Sequence, residues 1–123
     1  MTEILHKDLS YRVVGCALRV HAALGPGFPE GVYAKAMRHE LAKSGVPFET
    51  EQLALVSYDG VLCGEFRVDI VADERIVLEL KALAAINDEH MAQAISYLKA
   101  TGLTLAILVN FGAKSLETRR VVL

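Results

Sequence analysis

The chain is expected to adopt an α/β fold in which a mixed central sheet of about five strands is flanked by helices, in the order ααβββαββ. Three observations predict this. Apolar residues recur at spacings of three and four in 9–24, 29–43 and 88–99, the mark of helices with one face against a core. Segments rich in valine, isoleucine, leucine and phenylalanine, broken by turn residues, read as strands at 48–58, 61–72, 75–82, 104–110 and 116–123. A helix separates the third strand from the fourth, which permits a right-handed parallel crossover within one sheet.

The first helix is expected over Leu9–Leu24, with Ser10 as its cap and Val13, Val14, Ala17, Leu18, His21 and Leu24 on the inward side. Gly25-Pro26-Gly27 ends it. Pro29 suits the first turn of a second helix, which runs to Lys43 and stops before Gly45. Its inward stripe is Val32, Tyr33, Ala36, Met37, Glu40 and Leu41. Asp59-Gly60 is a hairpin turn between the first two strands, and Asp73-Glu74-Arg75 divides the second from the third. Asn87 or Asp88 caps the last helix, whose core residues are Met91, Ile95 and Leu98, and Thr101-Gly102 closes it. Leu105 to Val109 is an uninterrupted apolar run that suits a strand buried on both faces.

The 123 residues are expected to form one domain, residues 1–123. A composition 53% hydrophobic and 23% charged, without low-complexity tracts, argues for a folded globule. No apolar run approaches the roughly 20 residues that span a bilayer, so no membrane partner is expected. No basic segment followed by an apolar stretch opens the chain, which predicts no secretory leader. Cys16 and Cys63 sit in apolar patterns without metal-type spacing. They read as buried free thiols in a reducing compartment, the cytoplasm. A net charge of −2 and a pI near 6.1 argue against a non-specific nucleic-acid binder unless a local patch or a dimer supplies the field.

Asp69, Glu79 and Lys81 place charge inside the most strongly strand-forming stretch, Phe66 to Ala82. Along a strand Glu79 and Lys81 share one face, and Leu78 and Leu80 the other. Asp69 joins Glu79 only if the connecting loop has an odd number of residues or a bulge restores the match. A three-residue loop sets them opposite, with β-carbons roughly 4.5–5.5 Å apart. Two carboxylates on a rigid sheet can bind Mg²⁺ or Mn²⁺ as hard oxygen ligands, and a lysine beside them can orient or deprotonate a water. On spacing alone, a surface ion pair between Glu79 and Lys81 explains the pattern equally well.

Gln93 and Tyr97, four apart, project from one side of the last helix. They could hold a phosphate, but taken alone they read as rim contacts. Gly27-x-x-Glu30-x-x-Tyr33 puts a glutamate in a first helical turn, where the helix dipole favours it, with Tyr33 one turn on. His21 lies on the apolar side of the first helix, more in keeping with a satisfied core histidine than with a ligand. No glycine-rich phosphate loop, nucleophile elbow or C-x-x-C motif is present.

Together these motifs resemble the PD-(D/E)XK nuclease superfamily. They resemble most closely the small bacterial group named for its GxxExxY motif, which stands here as Gly27-Phe28-Pro29-Glu30-Gly31-Val32-Tyr33. The resemblance runs from Val20–Phe28 through D-x9-E-L-K to Gln93–Tyr97, with Val68 where the literal motif has proline. It implies a restriction-endonuclease-like core and Mg²⁺- or Mn²⁺-dependent cleavage of phosphodiesters in DNA, with RNA as the alternative. It also implies Asp69, Glu79 and Glu30 as metal-binding acids, Lys81 as the catalytic lysine, and Gln93 and Tyr97 as the Q-x-x-x-Y element. His21 and Tyr33 are further candidates beside the site. The competing expectation is a binding or assembly module, homodimeric in one form, that keeps the acidic pocket without turnover. A small-molecule phosphoesterase fits the pI but has no motif behind it.

Overall fold

A computed structural model describes residues 4–123. Two helices, α1 (Lys7–Leu24) and α2 (Glu30–Lys43), precede strands β1 (Phe48–Tyr58), β2 (Val61–Ala72) and β3 (Ile76–Lys81). Helix α3 (Asp88–Thr101) and strands β4 (Leu105–Asn110) and β5 (Glu117–Val122) complete the order ααβββαββ. The five strands form one sheet in sequence order; β3 and β4 are parallel and every other neighbour is antiparallel. Helix α3 is the crossover the sequence predicts.

The sheet has a core on each face. Val13, Cys16, Ala17 and Val20 of α1 and Tyr33, Met37 and Leu41 of α2 pack on Ile70, Ile76, Leu78, Leu80, Ile107 and Val109. On the other face Ala94 and Leu98 of α3 cover Val71, Val77, Ala106 and Leu108. Strands β3 and β4 are therefore apolar on both sides, as an interior parallel pair requires.

Helix α2 buries Tyr33, Met37 and Leu41 as expected, with Val32 alone turned outward, whereas α1 is rotated from the expected phase although Val13 and Ala17 are buried. Leu18 of α1 is 54% exposed and Val32 of α2 39% exposed, while Leu9, Val13, Cys16 and Val20 carry the α1 contact. Apolar residues cover more than half the circumference of α1, so periodicity alone leaves its rotation open. Ser10 does not cap: α1 begins at Lys7 after His6 in a left-handed conformation, and the Ser10 hydroxyl accepts from Arg120 Nη1 of β5 at 2.8 Å. Cys16 is buried as expected. Cys63 is exposed, because its half of β2 lies beyond the layers. The Asn87 cap is found, with His90 N donating to Asn87 Oδ1 at 3.1 Å and His90 Nδ1 accepting from Asn87 N.

Asn110, fully buried at the end of β4, ties the segment after β3 in place. Its Oδ1 accepts from Leu83 N at 2.8 Å and Gly112 N at 3.0 Å, and its Nδ2 donates to Leu83 O at 2.9 Å and Glu117 Oε1 at 3.1 Å. The same Glu117 oxygen accepts from Ile86 N. The Asn110 bond first, and then that of Ile86, hold the Glu117 carboxyl below its ordinary pKa. A β-carbon at Gly112 would collide with both N and O of Leu83. These are backbone atoms that cannot retreat without breaking the Asn110 bonds. Gly112→Ala is expected to lose about 1–3 kcal/mol of stability by urea unfolding, the range for overpacking. Gly64→Ala, with nothing within 4 Å of its added carbon, should lose less.

Candidate active site

The connection between β2 and β3 is Asp73-Glu74-Arg75, the three-residue length that brings Asp69 and Glu79 into register. Ile70 faces Leu78, Val71 faces Val77 and Ala72 faces Ile76, so the next pair in line is Asp69 with Glu79. The ladder stops there. Asp69 turns its carboxylate into the gap, where Oδ2 accepts the Leu80 N–H at 3.1 Å in place of a backbone carbonyl. Across the other edge of β2, Glu51 has a left-handed φ of 52° and makes no ladder pair with Asp69. Val68 packs on the α3 side and Ile70 on the α1–α2 side, although they are two residues apart. The strand therefore bends at Asp69, where its inward face changes over.

Glu79 is 4% exposed, and its Oε1 is buried with no hydrogen-bond partner. Burial first, and then the Asp69 charge, push its carboxyl up to about 8; Lys81 pulls the other way and Glu30 adds a further push. Among the described residues the ion pairs are Arg19–Glu40, Arg75–Asp73 and Arg119–Glu117. Glu79 and Lys81 thus do not form the surface salt bridge that spacing alone allowed.

Glu30 opens α2 and is exposed to solvent, yet loss of water followed by the Asp69 charge raises its carboxyl pKa, against Lys81. Tyr97, half-buried on α3 and stacked 4.3 Å from the Phe66 ring, is raised by burial and then by Glu79 and Asp69. Glu30, Asp69, Glu79, Lys81 and Tyr97 therefore share one electrostatic environment at the bend, reached from α2 on one side and α3 on the other. Gln93, one turn before Tyr97, is exposed and makes no hydrogen bond among the described residues.

Tyr33 and His21 stand behind this group. The Tyr33 ring is fully buried and stacks on Phe111 at 4.7 Å, and its hydroxyl donates to Gly25 O at 2.5 Å while accepting from Phe28 N at 3.2 Å. It clamps the turn that delivers Glu30. His21 Nε2 lies 2.9 Å from Ala113 O, tying α1 to the segment after β4.

Two residues beside the site were not evident from sequence. Lys35 and Arg38 line a cavity of about 220 Å³ with Glu30, Glu51 and Asp69, and neither has an ion-pair or hydrogen-bond partner among the described residues. Their signal was a basic pair three apart, one turn after Glu30. A larger cavity of about 520 Å³, bounded by Phe48, Asp73, Glu74 and Thr101, lies at the other end of β2.

A family profile of the PD-(D/E)XK nuclease superfamily matches residues 7–121. The chain belongs to this superfamily. No curated protein and no solved structure matches it. The five-stranded mixed sheet with flanking helices is accordingly a restriction-endonuclease-like core. The superfamily is one of nucleases, so membership implies nucleic acid as the class of partner and a divalent metal as the usual cofactor. No described helix is long and apolar enough to cross a membrane.

The residues can be tested against that metal. Among the described residues no three of histidine, cysteine, aspartate and glutamate stand ready as a closed metal cage. The partnerless Glu79 oxygen beside a second carboxylate is nevertheless what a cation would satisfy, since a buried, unpaired carboxylate is costly. The donor set, all carboxylate oxygen, suits a hard ion.

The raised Glu79 pKa gives a stability test in chelator. Between the unfolded value of 4.5 and the folded value of about 8 the native state holds the proton that the unfolded state releases. Stability should therefore fall as pH rises through this window, at up to about 1.4 kcal/mol per pH unit from this group. Glu79→Gln should flatten the slope in urea titrations and be the more stable form near pH 8.

Proposed function

We propose that the protein hydrolyses phosphodiester bonds in nucleic acid, DNA before RNA, with Mg²⁺ or Mn²⁺ held by Glu30, Asp69 and Glu79. The observation that carries this reading is the buried, partnerless oxygen of Glu79 next to Asp69 and Lys81 in a chain of this superfamily. When bound, the ion lowers the pKa of a water and offsets charge on the phosphate.

The protein's own groups do the rest. Asp69 is fixed by the Leu80 N–H, so its second oxygen is free to point at a ligand. Lys81 orients or deprotonates the attacking water and neutralises charge growing on the phosphate. Tyr97, raised in pKa and so a hydroxyl donor throughout the neutral range, donates to a phosphate oxygen, and Gln93 positions the same group from one turn earlier. Lys35 and Arg38 supply the positive charge along α2 that a chain of net charge −2 otherwise lacks. In this reading residues 1–123 are one nuclease-like domain of the bacterial GxxExxY group, working in the cytoplasm, where an exposed free Cys63 stays reduced.

A second reading is a silent binding or assembly module that retains the pocket, homodimeric in one form. The absence of a closed carboxylate cage among the described residues favours it.

Purified protein with Mn²⁺ is expected to cleave labelled DNA, and Lys81→Ala to slow cleavage by about 10²–10⁴-fold with the fold unchanged by circular dichroism. Mn²⁺ should raise the melting temperature of the native protein but not of Asp69→Asn. A melting shift without cleavage of any DNA or RNA would select the binding module instead. Replacing Lys35 and Arg38 by glutamine should weaken oligonucleotide binding and lower its salt slope by about 1 for each phosphate no longer neutralised.

A further inference from the structure

Charge is unevenly shared between the layers of this fold. From Lys7 to Lys43, the two helices on one face of the sheet, the chain carries six lysines and arginines and three acids. From Phe48 to Glu74, the β1–β2 hairpin and the turn after it, seven acids stand against a single Arg67. A polyanion held at the bend is therefore repelled along the hairpin and drawn across the helices.

The outer side of α2 offers it a path. Lys35, His39 and Lys43 are exposed and stand one turn apart, with half-buried Arg38 beside them. The path starts at the cavity shared with Asp69 and runs about 20 Å, the length of 14 helical residues, to Lys43. Where α2 ends, at Ser44, a second cavity of about 380 Å³ lies against α1. That volume is within the range of small-molecule sites.

Arg12 and Arg19 line this cavity, and both are anchored to the end of α2. Arg12 Nη2 donates to Ser44 O at 2.7 Å, and Arg19 Nη2 to Ser44 Oγ at 3.0 Å. Tyr11, 83% exposed, and Leu18 line it with them. Gly15 lies among these residues, although glycine inside a helix costs stability relative to alanine. Packing does not require it, since an added β-carbon would meet only Arg19 Nη1, at 3.5 Å. Its lack of a side chain leaves the cavity open.

The neighbouring acids do not cancel the basic groups. Glu40 is paired with Arg19 at 3.1 Å, and Asp8, one turn before Arg12, makes no ion pair among the described residues. Arg12 makes none there either, so most of its N–H groups remain for a phosphate. An aromatic ring beside arginines holds an unpaired nucleotide, the base stacking on the ring and the phosphate meeting a guanidinium. In a duplex the faces of each base are covered by its neighbours, which selects a single strand. An acidic polypeptide would satisfy the arginines and leave the ring unused.

We infer that a single nucleic-acid strand runs from the bend across the outer side of α2 and seats one nucleotide in the α1 cavity, its base on Tyr11 and its phosphate on Arg12. The inference rests on the nucleic-acid reading of the carboxylate site and names the form and path of its substrate.

Fluorescence anisotropy in EDTA, with a labelled single strand long enough to span both cavities, tests it without turnover. Tyr11→Ala is expected to weaken binding roughly tenfold or more, and Tyr11→Phe to keep it. Arg12→Gln should reduce the salt slope by about 0.7, the share of one phosphate of a single strand. Gly15→Met, which occupies the cavity from its floor, should weaken binding with the circular dichroism spectrum unchanged, a second measurement independent of the ring. A blunt duplex should bind without sensing Tyr11→Ala. Strand binding that Tyr11→Ala or Gly15→Met leaves unchanged overturns the inference, as does polyglutamate binding that is as tight and equally sensitive to Tyr11→Ala. Strand binding that depends on Tyr11 in a protein that cleaves nothing with Mn²⁺ supports this inference and ends the phosphodiesterase reading. Cleavage by a protein whose strand binding ignores Tyr11 does the reverse.

Discussion

The Leu80 N–H binds a side chain where a sheet would ordinarily give it a backbone carbonyl, and the geometry of the carboxylate group follows from that exchange. With the Asp69 carboxylate in the ladder position, β2 cannot stay paired with β3 beyond Ile70. The strands part, β2 changes the face it turns inward, and Glu51 on the neighbouring strand takes up a left-handed φ opposite the bend. The gap admits Glu30 from the α2 side and Tyr97 from the α3 side to one electrostatic environment. A regular hairpin would have kept Asp69 and Glu79 in a continuous sheet and left no gap for either helix to approach.

Burying Glu79 this way costs stability, and the surrounding structure is built to tolerate it. A carboxyl held near neutral pH in its protonated form, with one oxygen unsatisfied, favours unfolding wherever the unfolded chain can ionise. Two polar ties on the flanks oppose the resulting tendency to relax. Asn110 and Glu117, bonded to each other, fix the chain just after Lys81 through three hydrogen bonds to Leu83 and Ile86, so the end of β3 cannot drift away. Tyr33 fixes the Gly25–Phe28 turn, so the start of α2 holds Glu30 in place. Both ties are buried and nearly saturated, as expected for groups whose task is to position their neighbours.

Most of the fold could be read from the chain because its signals are local. The Asp59-Gly60 turn has both residues at positive φ, and β1 and β2 run over the residues that hydrophobic alternation and this turn mark out. The parity of Asp73-Glu74-Arg75 could be checked by counting. What sequence left open depends on contacts between distant segments. The rotation of α1 was ambiguous because Val14, Leu18 and His21 compete with Val13, Cys16 and Val20 for the inward side. Asn110 looked like a strand end rather than a knot, since its partners lie 27 and 7 residues away. Lys35 and Arg38 gain their place beside the site only because the bend brings Asp69 to the same cavity. The exposure of Cys63 could not be read from apolar neighbours that are themselves exposed.

An acidic chain in a nuclease superfamily poses an electrostatic problem that net charge does not answer. Field strength at a site depends on the charges within about a Debye length, roughly 8–10 Å, and not on the sum over the surface. Around the bend the three acids are partly cancelled in kind: burial lifts Glu79 towards its neutral form, Glu30 is lifted as well, and Lys81, Lys35 and Arg38 stand nearby. The local balance is therefore far less negative than a count of carboxylates implies. A divalent cation held there would favour the ionised form of the acids and offset two of their charges. The burial that makes Glu79 a liability for stability is thus also what a hard cation would relieve.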